Sequence, residues 1–482
     1  METPAAGAGS ASGNPNEFNP YLQGLYAPVV REETVLHCDI AGELPRELWG
    51  AYVRNGPNPA QAPQGLHHWF DGDGMLHGVW FEDGRAEYRS RYVRSSDFEA
   101  DLAGSCGASG VMLPAHRERG GTVYKDTANT DILLHGGSLL ALWYVSGTPV
   151  RVDARTLQTL RDERFDSRLP RHVSAHSKTD PVSGEFVFFD YALYEPWMSF
   201  GVVDREGRLL NFDKVELPGP RLPHDMGLTE NYLILHDLPV VMTEQGLKRG
   251  QWTIEQRRDQ PARFGVVPRR GRGSQVRWFE TDPCYIYHVI NAWEDGDEVV
   301  MQACRMVPNG LAPNRAYGPY APMVAVLALH AVPWEWRMNL KTGAVRQRQL
   351  DDRIGEFPMV NLDRAGRPTQ FGYVMSIDTA TDLQRFDGIH KYDLRSGACE
   401  TWRYAPGCFG SEAAFAPRIG ATAEDDGWLT VFVTDATSGR SEVQVLDARD
   451  IALGPVATVK LPCRVPAGFH ATWARGDQVR AA

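Results

Sequence analysis

The chain has 482 residues, 43% of them hydrophobic and 10% aromatic, and a formal net charge of −11. This apolar content is enough for a large globular core, and the acidic balance argues against the basic face that nucleic-acid binding requires. Residues 1–18 read as a Gly/Ser/Ala/Asn-rich tail without the basic and apolar regions of a secretory signal. Residues 19–482 read as one domain, with no linker standing out. Seven cysteines without a Cys-x-x-Cys fit reduced thiols in a cytoplasmic protein.

In chain order, Asp71-Gly-Asp73-Gly74 superficially resembles a calcium loop but lacks the later ligands, and His67, His68 and His77 around it read as packing or hydrogen-bonding residues. Apolar runs at Glu185–Tyr191, Tyr232–His236, Phe371–Met375 and Trp428–Thr434 read as strands. Between the strands one kind of turn recurs, an Asp or Asn followed three or four residues later by Gly, as at Asp180–Gly184 and Asp393–Gly397. The arginines between Arg257 and Arg272 are interrupted by acidic residues and Gly and read as a solvated loop. Ala321–Trp334 is too short to span a bilayer. It reads as a core segment, with a substrate entrance or peripheral membrane contact as the alternative.

Repeated hairpins at irregular intervals, without an extended helical pattern, favour radial blades over a sandwich of this length. The expected fold is all-β, a β-propeller whose inner strands surround one axis, with insertions at 101–122 and 305–335 on one face. Such an axis gives meaning to four histidines far apart in the chain: His176 in Ser-Ala-His-Ser-Lys, His224 in Leu-Pro-His-Asp-Met-Gly, His288 in Tyr-Ile-Tyr-His-Val-Ile-Asn-Ala-Trp-Glu and His470 in Ala-Gly-Phe-His-Ala-Thr-Trp. Neutral imidazole suits iron, copper, zinc and nickel. The spacing matches no local metal motif, and a lone histidine is more often a satisfied core or surface residue.

Further strings complete a pattern: Tyr52-Val-Arg-Asn-Gly-Pro-Asn-Pro59, His68-Trp-Phe-Asp-Gly-Asp-Gly-Met-Leu-His77, Asn129-Thr130, Glu356-Phe-Pro358, Gly410-Ser-Glu-Ala-Ala-Phe-Ala-Pro-Arg418 and Glu424-Asp-Asp-Gly-Trp428. Taken in order with the histidine contexts, from about residue 19 to about 473, the chain resembles the carotenoid cleavage oxygenase family, which includes stilbene- and phenylpropene-cleaving enzymes. The resemblance implies a seven-bladed propeller with a loop or helix cap over the axis, and Fe²⁺ held by His176, His224, His288 and His470. It implies that Glu356 and Glu412 stand behind two of these histidines, where a carboxylate accepting the far ring N–H fixes tautomer and orientation. The family's third glutamate, expected behind His224, follows the strand Leu139-Leu-Ala-Leu-Trp143. Here that position holds Tyr144, and the segment to Pro149 is about one residue longer. Tyr144 either stands behind His224 or swings into the substrate tunnel.

The expected reaction splits a conjugated alkene with O₂ into two carbonyl products, a balance that needs no outside electrons. No dinucleotide or phosphate-binding motif is seen in a strand–helix context. The substrate expected from the resemblance is an apocarotenoid, because Trp143 stands where the stilbene branch often carries a phenol-gripping Lys. The alternative is a stilbene or small phenylpropene of the vinylphenol or isoeugenol type, and the remote alternative is a propeller that binds a ligand without turnover. Trp143 and Tyr144 are candidate substrate residues. Tyr191, Tyr194, Trp197, Phe200 and Trp334 are aromatics that either line the tunnel or pack in the core. The expected partners are an apolar conjugated small molecule and O₂, with no nucleic acid and no protein partner implied. The expected location is the cytoplasm, with peripheral membrane contact as the variant.

Overall fold

The computed structural model describes residues 16, 18–63, 65–104, 110–112, 124–192, 195–249, 253–308 and 312–479. Residues 1–15, most of the 101–122 insertion and Tyr194 lie outside them. The apolar runs form strands Phe186–Tyr191, Tyr232–Asp237, Phe371–Ile377 and Gly427–Asp435. Each is hydrogen-bonded on both sides within its sheet, and all six residues of Phe186–Tyr191 are buried. Burial on both faces explains why these runs are continuously apolar and do not alternate. At the turns Gly184 and Gly397 take φ of +72° and +78°. Their N–H groups donate to the carbonyls of Asp180 and Asp393, each at 2.8 Å. A Cβ is disfavoured in that conformation, so the Asp-to-Gly spacing marks the hairpins.

The protein is mostly β. The described strands form one five-stranded, four four-stranded, one two-stranded and one ten-stranded sheet, all with antiparallel ladders. In the ten-stranded sheet the short strand Cys408–Gly410 joins two meanders, pairing with Phe386–Asp393 on one side and Gly427–Asp435 on the other. Large side chains fill the space between neighbouring sheets. Phe264, Phe279, Trp336 and Met338, for example, form one cluster with Ile234 and Ile286 from adjacent sheets. Each such side chain contributes about 1.5–3 kcal/mol on burial.

Helices are short, comprising Ser96–Leu102, Glu244–Arg249 and Ala321–Val326 among the described α-helices. The apolar run Ala321–Trp334 divides into the last of these helices and the start of the strand Ala331–Asn339. Among the described residues no helix is long and apolar enough to cross a membrane. The arginine-rich stretch corrects the solvated-loop reading: Ala262–Pro268 is a strand, and Arg269 is 7% exposed and paired with Asp180 at 2.5 Å. Its charge is matched by an acidic residue distant in sequence, which the local composition does not reveal.

Seven of the strands that have one ladder neighbour and lie at a sheet edge are those nearest the residues considered below: Asp131–His135, Lys178–Thr179, Gly227–Leu228, Ile286–Asp295, Gly355–Met359, Ala414–Pro417 and Ala471–Arg475. Several of them pack directly against one another, Ala471–Arg475 lying between Asp131–His135 and Ala414–Pro417. The residues of interest all fall at or just before the first residues of these strands.

Candidate functional site

His176 precedes Lys178–Thr179 with φ of +61°, and its N–H donates to Asp131 Oδ2 at 3.0 Å. A non-glycine residue in that region costs of order 1 kcal/mol and must be held by its surroundings. His224 precedes Gly227–Leu228. His288 lies within Ile286–Asp295, where the register shifts between Ile286 and Val289 and again before Asn291. Such an irregularity re-aims a side chain out of the regular alternation. His470 directly precedes Ala471–Arg475; its N–H donates to the Thr130 carbonyl at 3.2 Å and its carbonyl accepts from Asn55 N at 2.9 Å.

These four segments bring one nitrogen from each of His176, His224, His288 and His470 within 4.8 Å of one another. His176 Nε2 and His224 Nε2 are 3.1 Å apart. Burial, then the neighbouring imidazoles, holds His176 and His288 well below the usual histidine pKa, and burial with the His470 and Lys178 charges takes His224 down to about 3. At His470 burial lowers the pKa, but the Glu412 carboxylate more than offsets it and the value is raised. His288 Nε2 is buried with no hydrogen-bond partner, although a buried polar atom ordinarily has one. Four imidazoles converging around such an atom form a group that could hold a metal ion.

Glu356 and Glu412, both buried, lie behind two of the rings. Glu356 Oε2 accepts from His288 Nδ1 at 2.5 Å and from Phe357 N at 2.6 Å. Glu412 Oε1 accepts from His470 Nδ1 at 3.2 Å, while its Oε2 accepts from Ala471 N at 2.5 Å. Among the described residues, no carboxylate pairs with the His224 ring in the way these two pair with theirs.

The sequence reading missed a third device. Asp225, 1% exposed, accepts from Lys178 Nζ at 2.6 Å, from Met226 N at 2.6 Å and from Val289 N at 2.7 Å. Lys178 is two residues past His176, Asp225 follows His224, and Val289 follows His288. One ion pair thus ties three histidine-bearing segments together. Its signal was present in the strings Ser-Ala-His-Ser-Lys and Leu-Pro-His-Asp, but nothing in them links the two charges.

A narrow cavity of about 20 Å³ abuts the histidines, walled by Phe70, Tyr144, Tyr287, Leu327, Leu329, Phe357 and Phe469. Leu327 and Leu329 come from the apolar run after Val326, so part of that run faces the site. Tyr144 enters the wall with its ring 4.7 Å from Phe70, while its backbone is fixed by Thr130 Oγ1 and the Tyr191 hydroxyl. Trp143 is not in the wall; its ring packs edge-on to Tyr144 at 5.4 Å. Tyr191, Trp197, Phe200 and Trp334 are likewise absent from it. Tyr191 and Phe200 sit in the hydrophobic core, and Trp334 lies under Arg305. His68 and His77 make local bonds to Phe70 N and the Tyr88 hydroxyl, and Asp73 pairs with Lys125.

Residues 26–475 match the family model described as retinal pigment epithelial membrane protein. Carotenoid 9,10(9′,10′)-cleavage dioxygenase 1 of Phaseolus vulgaris is 34% identical over 496 residues, covering 95% of this chain and 90% of that protein. Isoeugenol monooxygenase of Pseudomonas nitroreducens is 30% identical over 475 residues, covering 95% and 98%. The crystal structure of Pseudomonas brassicacearum lignostilbene dioxygenase superposes with a TM-score of 0.83 at 27% identity, covering 95% of this chain and 99% of that one. The chain belongs to the carotenoid cleavage oxygenase family and shares its fold. It is an oxygenase.

Proposed function

We propose that the chain is a non-haem Fe(II) dioxygenase that cleaves a conjugated alkene into two carbonyl products, with an apocarotenoid as substrate. The observation that carries this reading is the convergence of four imidazoles, three buried and that of His224 half-buried, around the unpartnered His288 Nε2. The donor set fits iron, since neutral imidazoles bind it well. His176, His224, His288 and His470 would hold the ion, and bound Fe(II) would supply the activation of O₂. Glu356 and Glu412 orient the rings of His288 and His470, and the Lys178–Asp225 pair spaces the other segments. The apolar wall excludes water and positions a conjugated chain by contact, as small-molecule sites generally do.

The seven-bladed propeller is part of the same proposal. Leaving aside the two-stranded sheet and counting the two meanders of the ten-stranded sheet separately, seven sets each supply one of these seven edge strands. All seven present site residues, or Thr130 beside them, at their starting ends. No sheet closes on itself among the described residues, as fits blades standing around an axis. Residues 19–482 would form this single unit. A cytoplasmic location with contact at a membrane edge suits an apolar substrate.

A second reading, cleavage of a small aryl alkene, is favoured by Tyr144. Its aromatic ring narrows the wall where the family carries a carboxylate, and the isoeugenol and lignostilbene relatives act on aryl alkenes by name. Product mass spectrometry against apocarotenals, stilbenes and phenylpropenes, on the parent chain and Tyr144→Phe, separates the readings. We expect two carbonyl fragments from an apocarotenal and, for Tyr144→Phe, altered KM or preference at unchanged iron content. Products from aryl alkenes alone establish the second reading, and turnover of no alkene rejects both. Weaker iron binding in Tyr144→Phe with unchanged preference places the tyrosine behind His224.

A further inference from the structure

Apart from the histidines, the cavity wall carries a buried amide nitrogen without a partner, that of Gln384. Gln384 lies in the connection between Phe371–Ile377 and Phe386–Asp393 and is only 9% exposed. It lines the cavity beside the histidines. Its Nε2 is buried and makes no hydrogen bond, whereas its backbone carbonyl accepts from the Tyr26 hydroxyl, which fixes the residue's position. Among the other polar wall groups, which include the hydroxyls of Tyr144 and Tyr287, that of Thr130 is already engaged: it donates to Asn129 Oδ1 at 2.9 Å and accepts from Tyr144 N at 3.0 Å. Leaving a buried donor unsatisfied costs about 1–3 kcal/mol, and few such groups occur in native structures. A polar group among apolar wall residues commonly fixes a ligand's orientation.

We propose that Gln384 is a specificity-determining residue whose amide N–H donates to an oxygen substituent of the substrate. The substrate class is then an oxygenated conjugated alkene, such as an apocarotenal or a hydroxy- or methoxy-aryl alkene, and not a pure hydrocarbon. The amide sets the register of the substrate and thereby which double bond lies against the histidines. The inference rests on the alkene-cleavage reading.

The test compares Gln384→Leu with the parent chain for β-apo-8′-carotenal and the same polyene ending in methyl. Kd is read by tryptophan fluorescence quenching under argon and products are read in air. Isoeugenol and propenylbenzene serve as the aryl pair. We expect Gln384→Leu to weaken binding of the oxygenated member of the bound pair about tenfold, with less than about a twofold change for the hydrocarbon. Among the described residues Nε2 has no partner to lose, so the fold should survive; Gln384→Met, closer in shape, must show the same pattern and stands in if the leucine variant is unstable. Equal changes for both members, no change, or binding of neither pair overturns the assignment. If the parent binds with the expected selectivity but yields no product in air, the anchor stands and alkene cleavage fails.

Discussion

His288→Ala should abolish turnover and reduce bound iron from one per chain to a small fraction. His288 Nδ1 is committed to Glu356, so its buried and unpartnered Nε2 is the nitrogen left to meet an ion. Removing the ring also leaves Glu356, already pushed above the usual carboxylate range by burial, with Phe357 N as its remaining partner. A stability loss of about 1–3 kcal/mol is expected from that orphaned group. The same loss of iron is expected for His176→Ala, His224→Ala and His470→Ala, because each supplies one of four protein nitrogens. Iron analysis and O₂ uptake on protein of confirmed fold provide the check. Any variant that keeps full iron and near-parent rate removes its residue from the site.

Glu356→Gln and Glu412→Gln should each weaken iron binding and lower kcat about 10–100-fold, because both act through the orientation of a ring. The geometry separates them. At Glu356 one oxygen takes both the His288 and Phe357 N–H groups, so a glutamine oxygen can keep both bonds and only the charge is lost. Its new amide would then occupy the place of Oε1, which is buried without a partner. At Glu412 the two oxygens divide the work between His470 and Ala471. Glutamine there turns an amide N–H toward a donor and must lose one bond. We therefore expect Glu412→Gln to be the more damaging for ring orientation, with KM little changed in both. Competition with a chelator measures the affinities; parent-like values in both variants would show that the carboxylates do not support the histidines.

The strand cores and hairpin turns were legible in the sequence because continuous apolar runs and Asp-to-Gly spacings have direct physical causes. The four histidines were legible as candidates, but their meeting is a property of strand starts brought together by the fold. Glu356 and Glu412 needed the family resemblance, since a lone Glu before Phe-Pro or within Ser-Glu-Ala carries no local mark. Whether the aromatics line a cavity or pack in the core was not legible in the sequence, for a simple reason. A tryptophan or tyrosine in an apolar strand looks the same whether it faces a core or a cavity, and Phe200 and Trp334 face elsewhere. The true wall residues Phe357 and Phe469 stand next to Glu356 and His470 in sequence, an adjacency that could have identified them. Arg269 and the Lys178–Asp225 pair depend on partners distant in the chain, which composition cannot show.

Cleavage under ¹⁸O₂, with rapid isolation and a control for aldehyde exchange with water, tests the central claim most directly. Splitting R–CH=CH–R′ with O₂ to RCHO and R′CHO consumes both oxygen atoms and no outside electrons. The account predicts label in both carbonyl fragments and turnover with Fe(II) and O₂ alone. Reproducible label in only one fragment, or a strict need for added reductant at every turnover, would contradict it.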